Sequence, residues 1–96
     1  MDNIFAPNQR IIILQSLEKD PGRCLSNEML QRALRPYGHN CSLVEVNVLV
    51  NWLEQRGYVT TERLINGLVI AHVTRPGIDV ALGALRAEGI DAPLQE

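Results

Sequence analysis

Ser42-Leu43-Val44-Glu45-Val46-Asn47-Val48-Leu49-Val50-Asn51-Trp52-Leu53-Glu54-Gln55-Arg56-Gly57 reads as a single helix with both ends marked. Ser42 and Glu45, three residues apart, form a capping box: the hydroxyl accepts from the Glu45 amide while the carboxylate accepts from the Ser42 amide. Gly57 suits the left-handed residue that closes a helix, and Arg56 in the last turn complements the negative end of the helix dipole. Tyr58-Val59-Thr60-Thr61 follows directly and is β-forming, so the helix feeds a strand.

Upstream, Pro21-Gly22 ends an earlier helix that covers about Asn8 to Asp20, with Pro7 tolerated in its first turn and Ile11, Ile12, Leu14 and Leu17 supplying an inward stripe. Arg23-Cys24-Leu25 is a short extended link, placed to pair with a later strand. Ser26 caps a second helix of about Asn27 to Arg35, whose Met29, Leu30, Ala33 and Leu34 share a face. Pro36 disfavours helix at Arg35, and Tyr37-Gly38-His39-Asn40 makes the turn to Ser42. A short helix, a glycine-containing turn and a longer capped helix make a helix-turn-helix.

Downstream, strands of about Tyr58 to Ile65 and Leu68 to Thr74 flank Asn66-Gly67, a strong signal for a two-residue hairpin turn. That turn pairs Leu64 with Val69, Glu62 with Ala71 and Thr60 with Val73, and these six residues face the core. Ile65, Leu68, Ile70 and His72 then point outward with Arg63. Pro76-Gly77 opens a last helix with Ile78, Leu82 and Leu85 on one face and Ala81 beside them, ending before Gly89. The expected fold class is α+β: a winged helix-turn-helix with a three-helix core, a two- or three-stranded antiparallel wing and a C-terminal helix. Residues 1–96 form one domain, with 1–6 and 88–96 as loose termini.

Composition narrows the function. A net charge of −2 argues against binding nucleic acid by bulk charge, although a local basic face remains compatible with it. Two cysteines make no disulfide framework, and no apolar run approaches the roughly 18 residues of a membrane span, so the chain reads as soluble and cytosolic. Cys24, Cys41, His39 and His72 lack the close spacing of zinc ligands, and no metal or other cofactor is expected. Ser26 and Ser42 have capping roles, Glu18 and Asp20 lie at a helix end, and there is no phosphate-cradling glycine loop. The chain reads as non-enzymatic, with no small-molecule substrate.

Arg10-Ile11-Ile12-Ile13-Leu14, Asp20-Pro21-Gly22, Tyr37-Gly38-His39, Val50-Asn51-Trp52-Leu53-Glu54-Gln55-Arg56-Gly57 and Thr74-Arg75-Pro76-Gly77-Ile78-Asp79-Val80-Ala81 together resemble a family of small proteins encoded by Mu-like bacteriophages and prophages. The resemblance covers nearly the whole chain and implies a winged-helix domain working in the bacterial host cytoplasm, in a family sometimes labelled as transcriptional regulators. Where that family commonly has basic or polar residues after the capping serine and one turn on, this chain has Leu43 and Asn47.

If the capped helix reads duplex DNA, the outward residues Leu43, Val44, Asn47, Val48 and Asn51 are its readers. Asparagine can pair with adenine through two hydrogen bonds, and a valine methyl can meet a thymine methyl. Arg63 on the wing, and Arg23, Arg32 and Arg35 around the second helix, are the candidate phosphate contacts. Val46, Leu49, Val50 and Leu53 form the inward face, with Trp52 at its border. The expected function is a DNA-associated transcriptional regulator acting as a homodimer. The alternative keeps the scaffold but uses Val44 and Val48 to bind a protein partner or a second copy, as an adaptor or dimerisation module.

Overall fold

The computed structural model describes residues 3–95. The first helix, α1 (Ala6–Lys19), carries Pro7 in its first turn and is the hub of the core. Ile11, Ile12, Ile13, Leu14 and Leu17 are all buried, because the later helices and the sheet surround it. At its C-terminal end the Asp20 carboxylate accepts from the Gly22 amide at 2.9 Å, turning the chain into strand β1 (Cys24–Ser26). Ser26 caps α2 (Asn27–Leu34), accepting from the Met29 amide at 3.2 Å. A single 3-10 turn at Arg35–Tyr37 holds Pro36, and Gly38 at φ 87° redirects the chain.

Helix α3 (Leu43–Gln55) has both arms of its capping box: Ser42 Oγ accepts from the Glu45 amide at 3.1 Å and Glu45 Oε1 from the Ser42 amide at 2.9 Å. At its far end Gly57 adopts φ 82°, Tyr58 N donates to Leu53 O and Gly57 N to Glu54 O, the double bond of a Schellman motif. Strands β2 (Val59–Arg63) and β3 (Val69–Val73) form a hairpin, and β1 pairs with β3, giving an antiparallel sheet of order β1-β3-β2. Thr74 caps α4 (Arg75–Leu82) by accepting from the Gly77 amide. Among the described residues the architecture is α+β, four helices against a three-stranded sheet.

The hairpin register differs by one residue from the Asn-Gly reading. Glu62 is paired with Ile70 and Arg63 with Val69, and Leu64 N donates to Leu68 O at 2.8 Å. The loop is therefore Ile65-Asn66-Gly67, in which Gly67 alone takes a positive φ, as a type I turn with a glycine bulge requires. Because side chains alternate along a strand, this shift turns β2 over. Val59 is buried, whereas Thr60, Glu62 and Leu64, expected inward, are exposed; the inward assignment of Val69 and Ala71 stands, and Val73 packs against the core. Of the expected outward set, Ile65 is fully exposed, while Leu68, Ile70 and His72 are half-buried.

The apolar faces of α4 and α2 also differ from expectation. Helix α4 stops at Gly83 (φ 85°) and buries Gly77, Val80 and Ala81, leaving Leu82 and Leu85 exposed and Ile78 half-buried; likewise Met29 of α2 is exposed. Ile4 and Phe5 are exposed, while other described residues of the termini are held against α1. Asn3 Nδ2 donates to Gln9 Oε1 at 2.9 Å, Ile90 is buried, Asp91 N donates to Pro7 O, and Gln15 exchanges two hydrogen bonds with the Leu94 backbone. Met1, Asp2 and Glu96 lie outside the described residues.

Candidate functional site

The 3.6-residue period divides the surface of α3 into three strips, each with its own chemistry. One flank is stitched down by polar side chains. Asn47 Oδ1 accepts from Asn27 Nδ2 at 3.0 Å, Asn51 Oδ1 from Arg63 Nη2 at 2.8 Å, and Glu54 Oε2 from both the Thr61 amide (3.1 Å) and hydroxyl (2.7 Å). Asn27 is buried and also accepts from the Val69 amide, so it joins α2, α3 and β3 at one point. The register shift makes this flank possible, since it turns Thr61 and Arg63 towards α3.

The central, outward strip holds Val44, 71% exposed, and Val48, 62% exposed. The opposite flank borders a groove of about 270 Å³ between α3 and the start of α1, lined by Asn3, Ala6, Arg10, Val44, Glu45, Val48, Leu49 and Trp52.

At one end of that groove two arginines clasp the indole. The guanidinium carbons of Arg10 and Arg56 each lie 3.7 Å from the Trp52 ring centre, and two guanidiniums at that distance cannot share one ring face, so they sandwich it. Arg10 Nη1 donates to Gly89 O at 2.8 Å, while its Nε is buried without a partner among the described residues. Burial, and then the neighbouring Arg56 charge, lower the Arg10 pKa from its ordinary value. Glu45 stands at the other end of the groove, its pKa lowered by the Ser42 backbone and side-chain hydrogen bonds.

Of the expected readers, Leu43 is half-buried, and Asn47 and Asn51 have their side-chain oxygens engaged within the chain. Val44 and Val48 come together on the groove. Arg63 joins Asn51 where α3 meets the hairpin. Arg23, Arg32 and Arg35 are exposed and do not line the groove; Arg23 adopts φ 57° and its carbonyl accepts from Val73 N. Sequence reading missed Arg10 as a site residue. Arg56 was visible four residues after Trp52, but nothing local signals that α1 brings a second arginine to the other face.

His39 and Cys41 belong to a polar cluster. His39 Nε2 donates to Asn8 Oδ1 at 2.7 Å and its Nδ1 accepts from Gln9 Nε2 at 3.3 Å, the pattern of the Nε2-protonated tautomer. Gln9 Nε2 also reaches Cys41 Sγ at 3.5 Å, and burial followed by the Glu45 charge raises the thiol pKa, the opposite of what an activated thiolate needs. Among the described residues no group of three or more His, Cys, Asp or Glu side chains could hold a metal ion, and no helix is long and apolar enough to cross a membrane.

Fold and site thus define a small α+β protein with a capped central helix, apolar on its outward strip and cationic at one end. The chain belongs to the family of a protein of Escherichia phage Mu, gp26, described as uncharacterized, with which it is 34% identical over 93 residues, 97% of this chain and 95% of the relative. An uncharacterized protein of Haemophilus influenzae (strain ATCC 51907 / DSM 11121 / KW20 / Rd) is 31% identical over 72 residues, 75% of this chain and 70% of the relative. No family model and no solved structure matches the chain.

Proposed function

We propose that the chain is a winged-helix domain of Mu-like phages and prophages, working in the host cytoplasm, whose third helix docks protein through its outward valines. The element order supports the scaffold: helix, short strand, helix, turn, capped helix, two-stranded wing and helix, with the first strand added to the wing. The observation that carries the docking reading is the exposure of Val44 and Val48 on the helix strip that would otherwise meet base edges. Neither valine offers a hydrogen bond to a base, and the two asparagines beside them already engage their oxygens with other side chains of the chain. A photo-crosslinking benzoylphenylalanine in place of Val44, in cells carrying the phage, is expected to join the chain to protein. Irradiation that yields no protein adduct of any kind would remove this reading.

A second reading, a DNA-associated transcriptional regulator, is favoured by one specific feature. The Arg63–Asn51 pair is exposed where helix and wing meet, so one cation and one amide stand together on the surface that winged-helix proteins present to duplex DNA. On that reading, fluorescence anisotropy at low salt detects duplex binding that weakens as salt rises and is lost in Asn51→Ala and Arg63→Ala. Absence of binding to any duplex at low salt excludes it.

A further inference from the structure

We infer that the occupant of the α3 face is a second copy of this chain, packed with its α3 antiparallel about a two-fold axis that passes beside Val48. The inference rests on the protein-docking reading above and names the partner.

Charge along the groove is sorted by end. Glu45 lies at the N-terminal end and uses Oε1 for the Ser42 amide, while its Oε2 has no partner among the described residues. At the other end Arg10 lines the groove, and Arg56 lies on the opposite face of the Trp52 indole, outside the groove's lining. Arg56 folds back over Trp52, so both guanidiniums sit at the level of that residue, about two helical turns or roughly 10 Å along the axis from Glu45. Among the described residues Arg10 Nη2 and the Arg56 guanidinium nitrogens have no hydrogen-bond acceptor. Val44 and Val48 occupy the stretch between the two ends.

A surface that is acidic at one end, apolar in the middle and basic at the other is complementary to its own antiparallel copy. A two-fold axis makes every contact twice, so Glu45 meets the Arg10–Arg56 pair of its partner at both ends of one interface. Pairing the level of residue 45 with that of residue 52 puts the axis between residues 48 and 49, beside the exposed Val48. That register brings the two copies of Val48 together at the axis. A parallel copy would set carboxylate against carboxylate and arginine pair against arginine pair. The antiparallel arrangement also opposes the two helix dipoles. Exposed ion pairs contribute little energy, so burial of the valines drives association and the charges set its direction.

Sedimentation equilibrium of the purified full chain is the test. The wild type is expected to be a dimer in the micromolar range, with Val48→Glu raising its dissociation constant roughly a hundredfold while far-UV circular dichroism and thermal melting stay unchanged. Charge exchange gives the second arm, which does not depend on Val48. Arg56→Glu alone and Glu45→Arg alone each place like charges together and are expected to sediment as monomers. An equimolar mixture restores opposite charges at both ends and is expected to form the heterodimer. A monomeric wild type, a dimer indifferent to Val48→Glu, or a mixture that stays monomeric overturns the proposal. If the wild type is monomeric and the Val44 crosslinker still captures another protein, the docking reading survives and only this inference falls. If Val44 captures nothing, not even a second copy, both fall.

Discussion

Replacing Gly77 by Ala sets two physical effects of opposite sign against each other. Gly77 lies in α4 and its φ is outside the left-handed region, so helix propensity alone predicts that Ala stabilises by about 1 kcal/mol. Packing predicts the reverse. A methyl built there falls well inside contact distance of the Tyr58 carbonyl oxygen, 2.8 Å from Val73 Cγ2 and 3.1 Å from the Tyr58 carbonyl carbon. The obstacle is backbone and cannot rotate away, because Tyr58 O accepts from Thr74 N at 3.1 Å while Thr74 Oγ1 donates to Gly57 O at 2.6 Å. Overpacking of a core costs about 1–3 kcal/mol, and a backbone obstacle puts this site at the upper end even after the propensity gain. With about 4–8 °C of melting temperature per kcal/mol for a domain of this size, a net loss of about 3 kcal/mol lowers the midpoint by roughly 12–24 °C. Thermal denaturation followed by circular dichroism measures it, and a midpoint equal to or above that of the wild type refutes the packing argument.

Other substitutions probe the rest of the frame. Ile90→Ala should cost about 2–5 kcal/mol in chemical denaturation, since Ile90 is 4% exposed and belongs to the core cluster; a change under about 0.5 kcal/mol would mean the tail is not docked. Gly67→Ala meets no atom within 4 Å but must hold φ 76°, so a loss of about 1–2 kcal/mol is expected from backbone conformation alone, and an unchanged stability would speak against the glycine-bulge loop. Glu45 carries the pH dependence of the cap. Its folded pKa is depressed, so its stabilisation is present above the unfolded pKa and disappears as pH falls through the folded one. Wild type and Glu45→Gln should therefore differ at neutral pH and converge in acid; parallel stability profiles would contradict the capping role.

Local chemistry was legible in the sequence where it is self-contained. Ser42, Glu45 and Gly57 mark the ends of α3 because a capping box and a left-handed glycine act within a few residues, and the inward set Val46, Leu49, Val50 and Leu53 follows from helical spacing. The hairpin was half legible. Asn66-Gly67 marks its position, but a two-residue turn and a three-residue glycine-bulge loop differ in the sign of φ at Asn66 and in whether Ile65 belongs to the turn, and the choice decides which side of β2 is buried. Burial of Val59 and the bonds from Thr61 and Arg63 to α3 favour the longer loop, and all of these are contacts outside the hairpin. The docked tail, the engaged oxygens of Asn47 and Asn51, and the arginine sandwich on Trp52 depend on residues far apart in the chain, which spacing does not report. At the candidate site, exposure of Val44 and Val48 was legible from helical phase, whereas the groove beside them required α1 to be in place.

On the proposed function, the outward strip of α3 meets protein. Amide resonances of the isotopically labelled chain, recorded by NMR on dilution and on addition of duplex DNA, test it most directly. Dilution is expected to shift the Val44, Val48 and Trp52 signals while duplex DNA leaves them in place. Signals that ignore dilution, together with shifts at Asn47, Asn51 and Arg63 on adding duplex, would contradict it.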